Sequence, residues 1–130
     1  MNRVVVDASA LAAVAFQEPG SESIRDQLDG ATVFAPALLR YELANTALKK
    51  ARQRPADAAK ILTALAIVLD DRSGLVWQDV DARDVALLAH AANLTAYDAS
   101  YLWLAGALGA DLVTLDSRLV KAVDALATPA

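Results

Sequence analysis

The chain has 130 residues, of which 56% are hydrophobic and 22% charged, and its formal net charge is −4. This length fits one compact domain over residues 1–130, and an apolar fraction above the usual roughly 45 to 50% is more than so small a core can absorb, so we expect an oligomer. Cysteine is absent and His90 is the sole histidine, which excludes disulfides, thiolate nucleophiles and Cys-ligated metal centres and leaves almost no imidazole chemistry.

Short apolar runs alternate with helical patterns along the whole sequence. Strands are predicted at Val4–Val6, Thr32–Ala35, Leu75–Trp77 and Leu112–Thr114. Helices are predicted over residues 9–16, 21–28, 37–52, 56–69, 81–92 and 96–108, and from residue 116 onward. Ser21 and Thr95 are expected to cap helices, Pro36 to begin one and Gly109 to end one. The alternation predicts a three-layer α/β/α domain with a mainly parallel central sheet of four or five strands.

Neither a membrane span nor a secretory signal is expected. Charge-free stretches such as Ala99–Ala110 fall short of the roughly 18 apolar residues that a spanning helix needs. Met1-Asn2-Arg3 leads directly into the first predicted strand, without the apolar region of a signal peptide. We therefore expect a cytoplasmic protein with no membrane association.

Four acidic residues occupy positions from which their side chains could converge. Asp7 and Asp116 follow predicted strands, and ligands of open parallel sheets bind outside the carboxyl ends of the strands. Glu42 lies in the apolar arc of a helix, where an ionised group is costly unless a cation or strong hydrogen bonds compensate it. Asp98 falls in the first turn of its helix, whose N-terminus is expected near the same crevice.

Carboxylate oxygens are the ligands that Mg²⁺ and Mn²⁺ prefer, which suits a sequence without Cys and with one His. Such ions activate water and neutralise a scissile phosphate, so no protein nucleophile is required. Without metal, carboxylates about 4 Å apart would repel by about 4 kcal/mol at an effective dielectric near 20, so the metal-free site should be strained. Bound cations would also reverse the sign of this one region of a chain whose overall charge is unsuited to RNA.

Four segments together resemble a PIN-domain nuclease of the VapC toxin type. These segments are Val4-Val5-Val6-Asp7-Ala8-Ser9, Tyr41-Glu42 with Asn45, Leu94-Thr95-Ala96-Tyr97-Asp98-Ala99, and Leu112-Val113-Thr114-Leu115-Asp116-Ser117-Arg118-Leu119. The resemblance spans nearly the whole chain. It implies a dimeric endoribonuclease that depends on Mg²⁺ or Mn²⁺ and is inhibited by a cognate antitoxin. Carried over by position, Asp7, Glu42, Asp98 and Asp116 resemble the acidic quartet of the family, and Ser9 and Thr114 the hydroxyl residues beside it. One departure is that Ala125–Ala130 gives little sign of the family's usual final strand.

Each feature also has a purely structural interpretation. Asp7 and Asp116 could serve only as helix caps, Glu42 could be half of an ion pair, and Asp98 with Thr95 fits a capping box. The aromatic residues are expected in the core or an interface rather than as base-stacking platforms: Trp77, Tyr97, Tyr101 and Trp103. The candidates for RNA contact are Arg40, Lys49, Lys50 and Arg52. The basic run of Lys49, Lys50, Arg52 and Arg54 is, however, expected first to complement the C-terminal dipole of its helix.

Two other functions compete with a metal-dependent ribonuclease. The first is an aspartate-based phosphatase with Asp7 as nucleophile, although Asp7-Ala8-Ser9 lacks the second Asp that such an enzyme needs. The second is a non-catalytic PIN-like interaction module that acts through its apolar surface, against which the presence of all four acids weighs.

Overall fold

The computed structural model describes residues 2–127. Its strands are β1 (Arg3–Val6), β2 (Thr32–Pro36), β3 (Val76–Gln78) and β4 (Asp111–Val113). Its α-helices are α1 (Ala8–Ala15), α2 (Ser21–Leu28), α3 (Leu39–Gln53), α4 (Ala58–Leu69), α5 (Ala82–Ala92), α6 (Ala96–Leu108) and α7 (Ser117–Ala127). Short 3₁₀ turns at Pro55–Asp57 and Asp71–Ser73 precede and follow α4.

The strands form one parallel sheet in the order β3-β2-β1-β4. The register aligns Val5 of β1 with Phe34 of β2 and with Leu112 of β4. These four strands, all parallel, confirm the expected sheet for the described part of the chain. Ala125–Ala127 continue α7, and residues 128–130 of the segment in which a final strand was in doubt lie outside the described residues.

The strand order accounts for the two helical layers. The chain moves in one direction across the sheet from β1 through β2 to β3, and it then returns past β1 to β4. Because crossovers between parallel strands are right-handed, the helices between β3 and β4 lie on the opposite face of the sheet from those between β1 and β3. The contacts agree: α1 packs against α2, α3 and α4, whereas α6 packs against α5, α7 and the sheet. The expected three-layer α/β/α arrangement is therefore confirmed.

The core lies between the sheet and these helices. Its fully buried members include Val5 and Val6 of β1, Ile24 of α2, and Leu39 and Leu43 of α3. A smaller cluster of Val85, Ala89 and Ala99 joins α5 to α6. This packing fixes the two ends of β1 and the N-terminal turns of α3 and α6 relative to one another, since close-packed interiors leave little freedom for sliding.

Most element boundaries agree with the predictions to within two residues, and two local details differ. Pro36 closes β2 instead of starting α3, because the Ala37 amide still donates to the Gln78 carbonyl of β3. Ser21 is the first residue of α2, and Gly20, in the left-handed region with φ +91°, occupies the cap position. Across residues 2–127 the longest apolar helices are too short to traverse a bilayer.

Candidate active site at the carboxyl edge of the sheet

The candidate site lies where the sheet changes winding direction. β1 and β4 are neighbours, and the chain leaves β1 into α1 on one face and β4 into α7 on the other. The carboxyl ends of two such strands bound a crevice, which is the usual ligand position in open parallel sheets. Asp7 directly follows β1, and Thr114 and Asp116 follow β4.

Asp7 is the most enclosed of the four acids, with 3% of its surface exposed. Its Oδ1 accepts hydrogen bonds from the Ser9 hydroxyl at 2.7 Å and from the Ala10 amide at 2.9 Å, which makes it the N-cap of α1. Its Oδ2 accepts from the Thr114 hydroxyl at 2.5 Å. Burial raises the pKa of Asp7 despite these three donors, and the charge of Asp116 raises it further. The capping interpretation of Asp7 is thus confirmed.

Ser9 and Thr114 each donate a hydrogen bond to Asp7, and their hydroxyl groups lie in contact. Their hydroxyl oxygens are 3.3 Å apart, Ser9 accepts from the Leu115 amide, and Thr114 accepts from the Asp116 amide at 2.9 Å. The register explains this meeting: Val6 pairs with Val113, so Asp7 and Thr114 stand level as each chain leaves the sheet. The two hydroxyl residues therefore connect the loops after β1 and β4.

Glu42 projects from the first turn of α3 and is half-buried. The Tyr101 hydroxyl of α6 donates a hydrogen bond to its Oε1. Burial raises the pKa of Glu42, the Tyr101 bond opposes that rise, and the charges of Asp98 and Asp7 add to it. Burial also raises the pKa of Tyr101, and the bond to Glu42 raises it further, so the phenol stays protonated and remains a donor. These effects identify Asp7, Glu42 and Asp98 as electrostatic neighbours.

Asp98 and Asp116 face a common cation. One guanidinium nitrogen of Arg118 lies 3.5 Å from Asp98 Oδ2 and 3.3 Å from Asp116 Oδ2. Partial burial acts to raise the pKa of Asp116. The hydrogen bonds from the Arg118 amide and side chain, together with the positive charge of Arg118, outweigh the effect of burial and lower the pKa. The Arg118 side chain is 70% exposed, so this pairing is a weak one.

Thr95 supplies the helix cap that the sequence predicted, and the Asp98 amide is the donor that it satisfies. That amide donates to the Thr95 hydroxyl at 3.1 Å, with Thr95 as the N-cap of α6. The carboxylate is left to Arg118, so both the capping role and a role at the crevice are compatible with the geometry.

The four acids share one edge without forming a closed cage. Electrostatic coupling joins Asp7 to Asp116 and joins Glu42 to Asp98 and Asp7. In the part of the chain that the structure describes, no three His, Asp or Glu side chains are arranged to hold a metal ion by themselves. Any ion at this edge would therefore need water or substrate oxygens to complete its coordination, which is common for Mg²⁺.

The basic residues that the sequence offered for RNA contact are dispersed. Arg40 holds its guanidinium 4.6 Å from the Trp77 ring centroid. Lys50 is eight residues beyond Glu42, about 12 Å along α3, and its ammonium is 3.1 Å from a Glu18 carboxylate oxygen. Lys49 and Arg52 are exposed on the same C-terminal half of α3. These three lie away from the acids, whereas Arg40 precedes Glu42 by two residues along the chain.

The aromatic residues divide between the core and the surface. Tyr101 is buried, and Trp77 and Trp103 pack against the core, as expected. Tyr97 is 64% exposed, so it is not part of the core, and its place in an interface stays a prediction. Tyr97 faces outward because its neighbours Ala99, Ser100 and Tyr101 take the buried face of α6.

Two site residues had no role assigned from the sequence. Arg118 lies two residues beyond Asp116, and this Asp-x-Arg spacing at a helix start was the available sign of an ion pair. Tyr101 follows Asp98 by three residues, the spacing that places two side chains on the same helical face. Its partner Glu42 lies 59 residues away, and no local pattern identifies that contact.

Comparisons with known proteins agree with this geometry. The PIN domain family matches residues 4–125. The curated protein Ribonuclease VapC3 of Pyrobaculum aerophilum is 34% identical over 131 residues, which cover 98% of this chain and 99% of that protein. The crystal structure of PAE2754 from Pyrobaculum aerophilum aligns with a TM-score of 0.74 and 32% identity, over 93% of this chain and 86% of that one. By its sequence and its fold, the chain belongs to the PIN-domain family.

Proposed function

We propose that this chain is a metal-dependent endoribonuclease of the VapC type, consisting of a single PIN-like nuclease domain over residues 1–130. The observation that carries the proposal is the meeting of Asp7, Glu42, Asp98 and Asp116 at one carboxyl edge. Likeness to a protein named as a ribonuclease supports the substrate class.

The donor set fits a hard divalent cation. The edge offers carboxylate and hydroxyl oxygens, and the pKa values of Asp7 and Glu42 are raised, which is expected of acids that lack a compensating positive charge. We assign Asp7, Glu42, Asp98 and Asp116 as the residues that hold Mg²⁺ or Mn²⁺, with Ser9 and Thr114 orienting Asp7. When bound, such an ion lowers the pKa of an attacking water and neutralises charge on the scissile phosphate.

The chain's own residues contribute orientation and charge. Ser9, Ala10 and Thr114 fix both oxygens of Asp7, so the carboxylate meets its ligand without reorganising. Tyr101 holds Glu42 in the same way. Arg118, whose side chain is largely exposed, partly neutralises Asp98 and Asp116 and could contact a phosphate once a cation takes over those carboxylates. Arg40 is the other cation proposed to contact RNA, and Lys49, Lys50 and Arg52 would contact only distant nucleotides.

The competing enzymatic function has less support. A nucleophilic aspartate needs an oxygen free to attack, whereas the two oxygens of Asp7 accept three hydrogen bonds that reduce their basicity. The four neighbouring acids have no evident use in a purely structural interaction module either. Both observations favour the metal-dependent nuclease.

Cleavage of single-stranded RNA by the purified chain tests the proposal. Asp98→Asn is the sharpest variant, because the Thr95 cap uses the Asp98 amide and survives the change. We expect cleavage with Mg²⁺ or Mn²⁺, its loss on chelation, and its loss in Asp98→Asn. Asp57→Asn, an exposed carboxylate beyond the far end of α3, serves as the matched control. Undiminished cleavage by Asp98→Asn would contradict the assignment.

We further propose a cytoplasmic toxin that is held inactive by a cognate antitoxin and forms a homodimer. Likeness to a VapC protein supports the first part. Exposed Leu62 and Ile67 on α4 support an interface that involves apolar surface. Expression should arrest growth, Asp98→Asn should relieve the arrest, and co-expression of a small DNA-binding protein encoded next to this chain should restore growth. Light scattering that shows only monomer at high concentration would refute the dimer.

A further inference from the structure

The three tyrosines of the chain all lie at the acidic edge. Tyr101 is buried and binds Glu42. Tyr41 directly precedes Glu42 and is 78% exposed, and Tyr97 directly precedes Asp98 and is 64% exposed. The two exposed rings therefore belong to the first turns of the same two helices that carry site acids.

Packing does not explain the two exposed rings. An aromatic ring contributes to folding through the apolar area it buries, and these two bury little. The remaining large aromatic side chains, Trp77 and Trp103 among them, pack against the core. Tyr41 and Tyr97 thus differ from the other aromatics in both exposure and location, which indicates a role outside the fold.

Their position relative to the acids follows from helix geometry. Consecutive Cα atoms are about 3.8 Å apart, so each exposed ring begins one residue from an acid. The second turn of α6 and the first turn of α3 are held together by the Tyr101–Glu42 bond, although the two helices belong to different layers. Glu42 and Asp98 are electrostatic neighbours, so an exposed ring lies next to each of two adjacent site acids.

We propose that Tyr41 and Tyr97 each stack on a nucleobase of single-stranded RNA, on the two sides of the phosphate that is cut. This inference rests on the proposed ribonuclease function. The chain carries a net charge of −4 and its site is acidic, so phosphate attraction alone gives weak affinity. Stacking on an aromatic face needs no protein charge, tolerates any base, and requires unpaired bases.

Substitution that removes the ring but keeps apolar bulk isolates stacking from other effects. Tyr41→Leu and Tyr97→Leu remove the aromatic face, whereas Tyr41→Phe and Tyr97→Phe keep it and lose only the hydroxyl. We expect each Leu variant to raise KM for single-stranded RNA about tenfold, or ~1.4 kcal/mol, with kcat little changed. The Phe variants should stay within about twofold of the parent. Leu87→Ala, a comparably exposed residue on α5, is the matched control.

Two further readouts separate stacking from a structural effect. The slope of log KM against log salt should be the same in the Leu variants as in the parent, because stacking neutralises no phosphate. The second readout uses the Asp98→Asn variant, which we expect to bind RNA without cutting it. RNA with 2-aminopurine at the cleavage position should lose fluorescence when it binds this variant. Adding Tyr41→Leu or Tyr97→Leu should abolish that loss of fluorescence.

The outcomes distinguish this inference from the proposed function. A parent chain that does not cut RNA refutes the ribonuclease and with it the stacking. A parent that cuts, with Leu variants that match Leu87→Ala in KM and leave the 2-aminopurine signal unchanged, refutes stacking alone. Leu variants that cut normally but lose binding of a protein partner would likewise overturn it, and would assign the rings to a protein interface.

Discussion

Replacing Thr114 by valine tests how the acidic edge is held together. Valine keeps the shape of threonine but cannot donate to Asp7, and it also removes the acceptor for the Asp116 amide. A hydrogen bond to a charged group is worth about 1.5 to 3 kcal/mol, so we expect a loss near 2 kcal/mol in the free energy of unfolding. With 130 residues and an unfolding entropy of about 2.1 cal/mol/K per residue, this corresponds to a Tm lower by roughly 7 °C.

The loss should depend on pH in a defined direction. The Thr114 bond favours charged Asp7, so its removal raises further a pKa that burial has already raised above the ordinary 3.8. The stability difference between parent and variant is then largest above the pKa of folded Asp7. The difference shrinks as pH falls through the pKa values of Asp7 in the two folded proteins, because below both values Asp7 is protonated in each of them.

Denaturant unfolding across the pH range, with metal chelated, measures this difference. Thr114→Ser is the control: it keeps the hydroxyl, and the loss of one methyl group costs about 0.8 kcal/mol independently of pH. A Thr114→Val loss that is equal at low and high pH, or no greater than that of Thr114→Ser, would refute the reasoning that Thr114 acts on the charge of Asp7.

Three more predictions concern the other acids. Glu42→Gln should stabilise the metal-free protein at neutral pH, because the carboxyl of Glu42 has a raised pKa and the fold disfavours its charge. This gain in the free energy of unfolding should fade as pH drops. Denaturant midpoints with and without Mn²⁺ should show that the metal stabilises the variant less than the parent. A metal-free variant less stable than the parent at neutral pH would contradict this. Tyr101→Phe should weaken Mn²⁺ binding about 10- to 100-fold by calorimetry, since Glu42 loses its orienting donor, and unchanged affinity would remove that role. Arg118→Gln should strengthen Mn²⁺ binding to the free protein, since the substitution removes a cation that competes for Asp98 and Asp116. It should also lower the slope of log KM against log salt by about 1. An unchanged slope would show that Arg118 does not contact phosphate.

Local pattern was sufficient for most of the secondary structure and for the position of two acids. Alternation of short apolar runs with helical segments predicted the strands and helices to within two residues at most boundaries, because hydrophobic periodicity and capping are short-range properties. Asp7 and Asp116 follow strands of a parallel sheet, so topology alone brings them to one edge.

The sequence could not determine which side chains meet across that edge. Glu42 is bonded to Tyr101 across 59 residues, and Thr114 to Asp7 across 107, and both contacts depend on register and on how α3 and α6 pack. The basic run from Lys49 to Arg52 was a reasonable candidate for RNA binding, yet helix direction carries it away from the acids.

Exposure was likewise decided by the tertiary structure. Tyr97 and Tyr101 lie one helical turn apart in a single apolar segment, and nothing in that segment distinguishes them. Once α6 packs its Ala99, Tyr101 and Leu102 face inward, Tyr97 is left in solvent beside Asp98. Sequence sets the periodicity of a helix, but the face that is buried is chosen by the surface it packs against, and here that choice leaves Tyr97 exposed next to Asp98.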